Sequence, residues 1–344
     1  MQDLPKPSCC SHCGSQLASR NALFKHLLTC SDNVNRQADS ISKKNEMKEI
    51  RIVEEDDWYR IIVKPQGMAT MGKLNGSNEE TLINSFSLLL PDAKSYKKAV
   101  PCHRLDRPTG GLVICSKSKL AERMIRRTFQ DKIVRKRYRA IVPGRIEPSS
   151  GRVTSIIDGK EAITDYNVVY YTRSYKYAWI STVDLYPLTG KKHQLRKHLC
   201  YELGHAILGD PRYAHASDWP NADSKFQNLL FLWALSIELP HPKDFNDLLN
   251  SNNIINKNND NDDNDANDDN NDYGDDFNNN DDNITNINLK NCKMIKCSID
   301  EPEYYKEFRE LQEKEYFLHT VENDDNSDQN HHDINKRMKI SLQE

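Results

Sequence analysis

The first group in this sequence that could do chemistry is a carboxylate between two cations. Residues 103–111 read His-Arg-Leu-Asp-Arg-Pro-Thr-Gly-Gly and place Asp106 in a turn before an apolar stretch, flanked by Arg104 and Arg107. Neighbouring cations lower the pKa of a carboxyl group, so we expect an anion at neutral pH, usable as a nucleophile or general base. An Asp that caps a turn and joins surface ion pairs would give the same pattern.

Four potential zinc ligands lie within the first thirty residues. Cys10 and Cys13 are separated by two residues, and His26 and Cys30 by three. A thiol pair on a turn, facing a His and a fourth ligand one helical turn apart, completes a tetrahedral zinc site. The spacing predicts a small Cys-Cys-His-Cys zinc finger with a structural zinc, in which Cys9 could compete with Cys10. Chance clustering of cysteines is the alternative.

The charge of the chain is unevenly distributed. Residues 251–289 hold eleven Asp and one Lys, a formal charge of −10, and since the whole chain carries −3, the remainder carries +7. Residues 103–145 alone hold thirteen Lys or Arg against three acidic residues. Such a basic stretch is typical of a surface that binds a polyanion, and nucleic acid is the leading candidate.

The composition also excludes several classes of protein. The sequence has no apolar run of the roughly 18 residues that a membrane span needs, and its N-terminus resembles neither a signal peptide nor a transit peptide. The nine cysteines do not form a disulfide pattern, which favours a reducing compartment. We therefore expect an intracellular protein without a membrane partner; cytoplasm, nucleus and mitochondrion stay open.

The elements that must position these groups are short strands interleaved with helices of moderate length. Successive strands are predicted between residues 136 and 186 without crossover helices, which favours antiparallel pairing, and a helix with one basic face is predicted at residues 119–130. The fold class is therefore α+β, a mixed, mainly antiparallel sheet with flanking helices, preceded by the zinc finger.

The same patterns predict the domain boundaries. The finger occupies residues 1–31, a polar linker residues 32–49, and the main domain residues 50–245. Residues 246–287 are almost entirely Asn and Asp, too poor in apolar groups to fold, and are predicted to be a disordered insertion. Residues 288–319 return to a strand and a helix of the same domain, and residues 320–344 are predicted to be a flexible tail.

The segment around Asp106 resembles the signature His-Arg-Leu-Asp-x-x-Thr of the RluA-type pseudouridine synthase family. Further blocks resemble that family in the same order, and the likeness spans residues 50–245 and resumes near Lys290. These blocks are residues 63–68, 136–144, 160–166, 188–198, 204–213 and 232–242. Val63, Gly110 and Lys192 depart from the usual residues of the family.

The resemblance implies an isomerase, an intramolecular transferase without a catalytic cofactor. It flips a uridine out of the RNA, breaks the glycosidic bond and rejoins the base through carbon 5. Asp106 would be the catalytic carboxylate, Arg196 its ion-pair partner, and Tyr138 a ring against the uracil that assists removal of the carbon-5 proton. Arg104 would occupy the vacated place in the RNA helix.

The predicted RNA contacts are basic residues that lie in the same blocks. They are Arg104, Arg107, Lys64, Lys136 and Lys192. Each of three residues also has a simpler interpretation. Tyr138 could pack in the core, Arg196 could contact a phosphate, and Lys64 could be a solvated lysine.

Three functions compete on these residues. The first is a monomeric pseudouridine synthase acting on tRNA or rRNA. The second is a catalytically inactive zinc-finger protein that binds RNA on the same fold, which the presence of Asp106, Tyr138 and Arg196 disfavours. The third is a DNA-binding regulator, which a single finger contacting about 3 base pairs is too small to support.

Overall fold

The computed structural model describes residues 8–9, 16–17, 50–71, 81–85, 90, 96–214, 225–251 and 289–324. The chain divides into two units, residues 1–49 and residues 50–344. In the first unit, β1 (Ser8–Cys9) pairs antiparallel with β2 (Gln16–Leu17). The four predicted zinc ligands lie outside the described residues, so the finger stays a prediction.

The second unit is built from ten described strands and four helices. The strands are β3 (Ile52–Glu55), β4 (Tyr59–Lys64), β5 (Val100–Pro101), β6 (Gly110–Ser116), β7 (Arg135–Pro143), β8 (Ser150–Ile157), β9 (Lys160–Ser174), β10 (Ala178–Pro187), β11 (Leu232–Pro240) and β12 (Met294–Ser298). The helices are α1 (Lys119–Gln130), α2 (Gln194–Lys197), α3 (Pro242–Ser251) and α4 (Glu303–Asp324). Short 3-10 turns lie at Leu82–Asn84 and Leu289–Asn291. A π-helical turn, His198–Glu202, continues α2.

These ten strands form one sheet in the order β3-β4-β6-β11-β7-β10-β9-β8, with β12 against β11 and β5 against β6. All described pairings are antiparallel except that of β11 with β6. The predicted mixed, mainly antiparallel sheet is therefore confirmed, as is the α+β class.

The parallel junction between β6 and β11 depends on a glycine. Gly111 has a φ of +114°, and a Cβ at this position would overlap the backbone of Ala234 on β11. Only glycine combines this conformation with such a close approach of two backbones. The junction brings the segment that follows Asp106 into the centre of the sheet.

Helix α1 has the predicted bounds. Ser118 caps it, because its side chain accepts a hydrogen bond from the Ala121 amide at 3.2 Å. Met124 and Ile125 are buried on one face, whereas Arg123 on the other face is exposed. This amphipathic pattern is the one expected for a helix that covers a sheet.

Helix α4 contributes two aromatic residues to the main hydrophobic core. Tyr305 and Phe308 are buried and lie 5.2 and 4.8 Å, ring to ring, from Phe231. Residues that follow the predicted insertion thus complete the core formed by β7, β10 and β11, so they belong to the same domain.

Two predicted boundaries are wrong. Disorder was predicted from residue 246, yet α3 continues to Ser251 because Phe245 and Leu249 are buried against Met124. The tail was predicted from residue 320, yet α4 extends to Asp324. None of the helices in the described residues has the length and apolarity that crossing a membrane requires.

Candidate active site

The loop that carries Asp106 is held by a second loop at residues 65–70. The hydroxyl of Thr70 accepts from the Leu105 amide at 3.1 Å and donates to the Leu105 carbonyl at 2.9 Å. The Gly67 amide donates to the Arg107 carbonyl at 2.9 Å. These bonds on both sides of Asp106 fix its backbone, so the carboxylate has a defined position.

The cation that contacts Asp106 is Arg196, which comes from α2, 90 residues away in sequence. Its Nη1 donates to Asp106 Oδ2 at 3.1 Å. Arg104 and Arg107 were expected to surround this carboxylate, but Arg107 directs its Nε to the Gly67 carbonyl at 3.0 Å. The ion pair predicted between Arg196 and Asp106 is therefore present in the fold.

Arg196 is itself fixed by a second carboxylate, Asp210. Its Nε and Nη2 donate to the two Asp210 oxygens, both at 2.7 Å, and both side chains are almost fully buried. Asp210 also accepts from the amides of Arg212 and Tyr213 at 2.9 and 3.1 Å. Hydrogen bonds to the two carboxylates raise the pKa of Arg196, so it is a permanent cation.

Asp210 is a site residue that sequence reasoning missed. It lies in the block at residues 204–213, where it was noted only as part of the resemblance. Gly209, which precedes it, has a φ of +71° and lies so close to the Leu229 backbone that a side chain would not fit. An Asp that follows a glycine was the available signal, but the sequence did not link it to Arg196.

The entry into α2 explains why a Gln precedes Leu195 and Arg196. Gln194 is buried; it accepts from the Thr189 hydroxyl at 2.7 Å and the Lys191 amide at 2.9 Å. It also donates to the Ile163 carbonyl at 3.0 Å. These hydrogen bonds attach the beginning of α2 to β9, and they fix the position from which Arg196 extends.

His193 is a second residue that reaches Asp106. It precedes α2 in the left-handed conformation, with a φ of +56°, and its Nε2 lies 3.8 Å from Asp106 Oδ1. Its Nδ1 is 2.8 Å from the Tyr213 hydroxyl. Burial lowers the pKa of His193 more than Asp106 raises it, so a neutral ring is favoured.

Tyr138 lies on β7, opposite Ala234 of β11, and is half-buried. Burial, with a contribution from the negative charge of Asp106, raises the pKa of its hydroxyl above the usual range. The two groups therefore share one electrostatic environment, and the phenol stays neutral near pH 7.

The predicted RNA contact at Lys64 is wrong. Its side chain is fully buried, and Nζ donates to the carbonyls of Met68, Pro65 and Arg107 at 2.7, 3.0 and 3.3 Å. Burial lowers the pKa of Lys64 to about 7, against the opposing effect of Asp106. Its ammonium joins the two loops beneath Asp106 and is not available to a phosphate.

The other predicted basic contacts differ in exposure. Arg104, Arg107 and Lys192 are exposed, and their RNA contacts stay predictions. Lys136 lies 5.8 Å above the ring of Phe129, and burial lowers its pKa to about 8.

His103 forms a structural hydrogen bond beside the loop that carries Asp106. Its Nε2 accepts from the Ile114 amide at 3.2 Å, and its ring stacks on Phe129 at 4.9 Å. Burial, with the charges of Lys136 and Arg126, lowers its pKa to about 3. Within the described part of the chain, no cluster of His, Cys, Asp and Glu could hold a metal ion.

The chain is similar in sequence to known RNA pseudouridine synthases. Residues 59–201 match the family model described as RNA pseudouridylate synthase. The dual-specificity RNA pseudouridine synthase RluA of Escherichia coli (strain K12) is 33% identical over 207 residues, covering 56% of this chain and 87% of the relative. The protein with that description from Pasteurella multocida (strain Pm70) is 35% identical over 179 residues, covering 47% and 76%.

Among solved structures, Human RNA Pseudouridylate Synthase Domain Containing 1 matches with 25% identity and a TM-score of 0.46. The match covers 57% of this chain and 81% of that chain.

Proposed function

The chain belongs to the RluA-type family of RNA pseudouridine synthases, and on that premise we propose that Asp106 is the carboxylate that acts on the flipped uridine. The chain has the pseudouridine synthase fold and is an isomerase that acts on RNA. The observation that supports the role of Asp106 is its ion pair with a buried arginine, Arg196, that Asp210 holds in place.

The reaction makes and breaks one bond at the ribose. The bond from C1′ to N1 of the uracil breaks, a bond from C1′ to C5 forms, the hydrogen on C5 leaves as a proton and N1 gains a proton. Atoms and electrons balance without an oxidant, a reductant or a metal. An anionic Asp106 suits either of two roles, nucleophile or general base.

Arg196 orients Asp106. Its guanidinium is shared between two carboxylates, and the geometry to Asp210 leaves Nη1 directed at Asp106. Because Asp106 retains 24% side-chain exposure whereas Asp210 has none, only Asp106 is open to a substrate.

We assign Tyr138 to packing against the flipped uracil. Its raised pKa disfavours the phenolate that direct removal of the carbon-5 proton would require, so the ring and a neutral hydroxyl are the groups it offers. Arg104, exposed beside Asp106 in sequence, is proposed to fill the gap that the flipped uridine leaves in the RNA.

Replacing Asp106 with Asn tests the assignment. The variant is expected to bind RNA as the unmodified protein does and to release no tritium from RNA labelled at carbon 5 of uridine. The control is Asp158→Asn, which alters an exposed carboxylate paired with Lys197 and is expected to leave activity unchanged. Tritium release by the Asp106→Asn variant would refute the role of Asp106; no release by the unmodified protein would favour the inactive RNA-binding alternative.

We also propose a structural zinc at Cys10, Cys13, His26 and Cys30, on the basis of their spacing. Metal analysis of the full chain is expected to give about one zinc per monomer. Cys13→Ser should remove it, whereas Cys200→Ser, which alters a cysteine of the second unit, should not. Equal zinc in both variants would contradict the finger.

The substrate class is proposed to be tRNA or rRNA, and the protein to act as a monomer. The Escherichia coli relative is described as dual-specificity, and a relative from Nitrosomonas europaea as a ribosomal large subunit enzyme. Mapping pseudouridine in cellular RNA with and without the gene would identify the target; unchanged maps of both tRNA and rRNA would refute this choice.

A further inference from the structure

We propose that Tyr201 and Tyr213 form a stacking platform for an unpaired nucleobase that adjoins the target uridine in the RNA. The proposal rests on the proposed function, because it concerns how the same site holds its substrate. It assigns to Tyr201 a role in selecting RNA whose target uridine lies in an unpaired segment.

Tyr201 is an aromatic side chain with no evident place in the core. It is 66% exposed, on the π-helical turn that continues α2. Turns of this kind are rare and are often found at functional sites. An exposed ring next to a site that acts on RNA is suited to stacking, since every base presents a π-face.

Tyr213 connects Tyr201 to the catalytic carboxylate. The two tyrosine rings meet edge to face at 5.7 Å, with an interplanar angle of 85°. Tyr213 lies 5.0 Å from the guanidinium of Arg196, and its hydroxyl is 2.8 Å from His193 Nδ1. The platform is thus braced by the same residues that surround Asp106 and does not need to be ordered when RNA binds.

The distance between Asp106 and Tyr201 indicates that Tyr201 would stack on a neighbouring base and not on the target uridine. His193 is the ring beside Asp106, at 3.8 Å from its carboxylate, and Tyr213 lies 5.7 Å from His193, centroid to centroid. Tyr201 is one ring further away. A base on Tyr201 therefore lies beside the site and not in it, which leaves the position at Asp106 to the target uridine.

The charge around the platform suits a nucleic-acid backbone. Lys192 and Arg212 are exposed, and both are close enough to His193 to lower its pKa. Arg212 acts on Tyr213 in the same way. Basic side chains beside exposed aromatic rings form the combination that binds single-stranded RNA, because cations hold the phosphates while rings hold the bases.

The test uses a short, unstructured uridine-rich RNA with one 2-aminopurine as the probe. Stacking on tyrosine should quench its fluorescence when the full-length protein binds. We expect Tyr201→Ala to weaken binding on the order of tenfold and to lose the quench, and Tyr201→Phe to keep both, because the ring carries the stacking. At saturating RNA, Tyr201→Ala should retain its rate of pseudouridine formation.

Tyr175→Ala is the matched control, since Tyr175 is similarly exposed, at 58%, but stacks on His319. Equal affinity of the Tyr201→Ala and Tyr175→Ala proteins would overturn the platform, as would a loss in Tyr201→Phe or a slower saturated rate without weaker binding. Asp106→Asn should bind and quench normally. Failure of the unmodified protein to form pseudouridine would refute the proposed function while leaving the quench readable.

Discussion

Arg196 and Asp210 form a bidentate ion pair in which both donor–acceptor distances are 2.7 Å and both side chains are almost fully removed from water. The third guanidinium nitrogen reaches Asp106. The proposed catalytic carboxylate is therefore oriented through a buried guanidinium, and Asp210 is proposed to act as a positioning residue.

Replacing Asp210 with Asn should lower both stability and activity. The change leaves a buried guanidinium with one carboxylate in place of two, and breaking a buried ion pair costs on the order of 3 kcal/mol. Urea unfolding would measure the loss. Asp165→Asn breaks the exposed bidentate pair with Arg152 and should change stability little. Equal effects of the two substitutions would contradict a special role for Asp210.

Replacing Tyr138 with Phe should reduce the rate of pseudouridine formation by less than about 100-fold, because the ring that is proposed to pack on the uracil is kept. Tyr138→Ala should be far more damaging. Single-turnover rates at saturating RNA would compare the two variants. A loss of about 100-fold or more in Tyr138→Phe would instead indicate that the hydroxyl takes part in proton transfer.

The neutral state of His103 predicts a pH dependence of stability. Its pKa is lowered to about 3 from the usual 6.5, and its Nε2 must be unprotonated to accept from Ile114. The unfolded chain therefore binds a proton that the folded chain does not. Between pH 6.5 and about 3, the unfolding free energy should fall by up to about 1.4 kcal/mol per pH unit, relative to His103→Gln.

Urea unfolding of the two proteins across this pH range would measure that difference. NMR signals of the His103 ring should show no protonation at pH 5. A midpoint near pH 6.5 would contradict the burial of the ring.

The contact between Asp106 and Arg196 was predicted from sequence, because both residues lie in recognisable motifs. Asp106, Tyr138 and Arg196 lie in motifs whose order resembles that of a known family, so their proximity was expected before the fold was seen. Asp210 was missed because its importance comes from a contact across the fold, with no regular spacing to Arg196.

Lys64 is a residue to which the sequence assigned a role, an RNA contact, that the fold does not allow. A lysine is usually solvated, and nothing in the sequence indicates that three carbonyl groups of two loops enclose its ammonium. Similarly, residues 246–251 were predicted to be disordered because α3 is rich in Asn and Asp, although Phe245 and Leu249 on the same helix pack against α1. Local composition cannot report such tertiary contacts.

The connection between α3 and β12 has a further consequence. The His241 amide donates to the Lys293 carbonyl at 2.8 Å, and the Lys293 amide donates to Asp244 at 2.8 Å, so the fold holds the beginning of α3 next to the beginning of β12. The entropy of closing a loop rises only with the logarithm of its length, by about 0.6 kcal/mol per doubling. A fluorescent or affinity module inserted into the connection between α3 and β12 is therefore expected to leave the sheet intact.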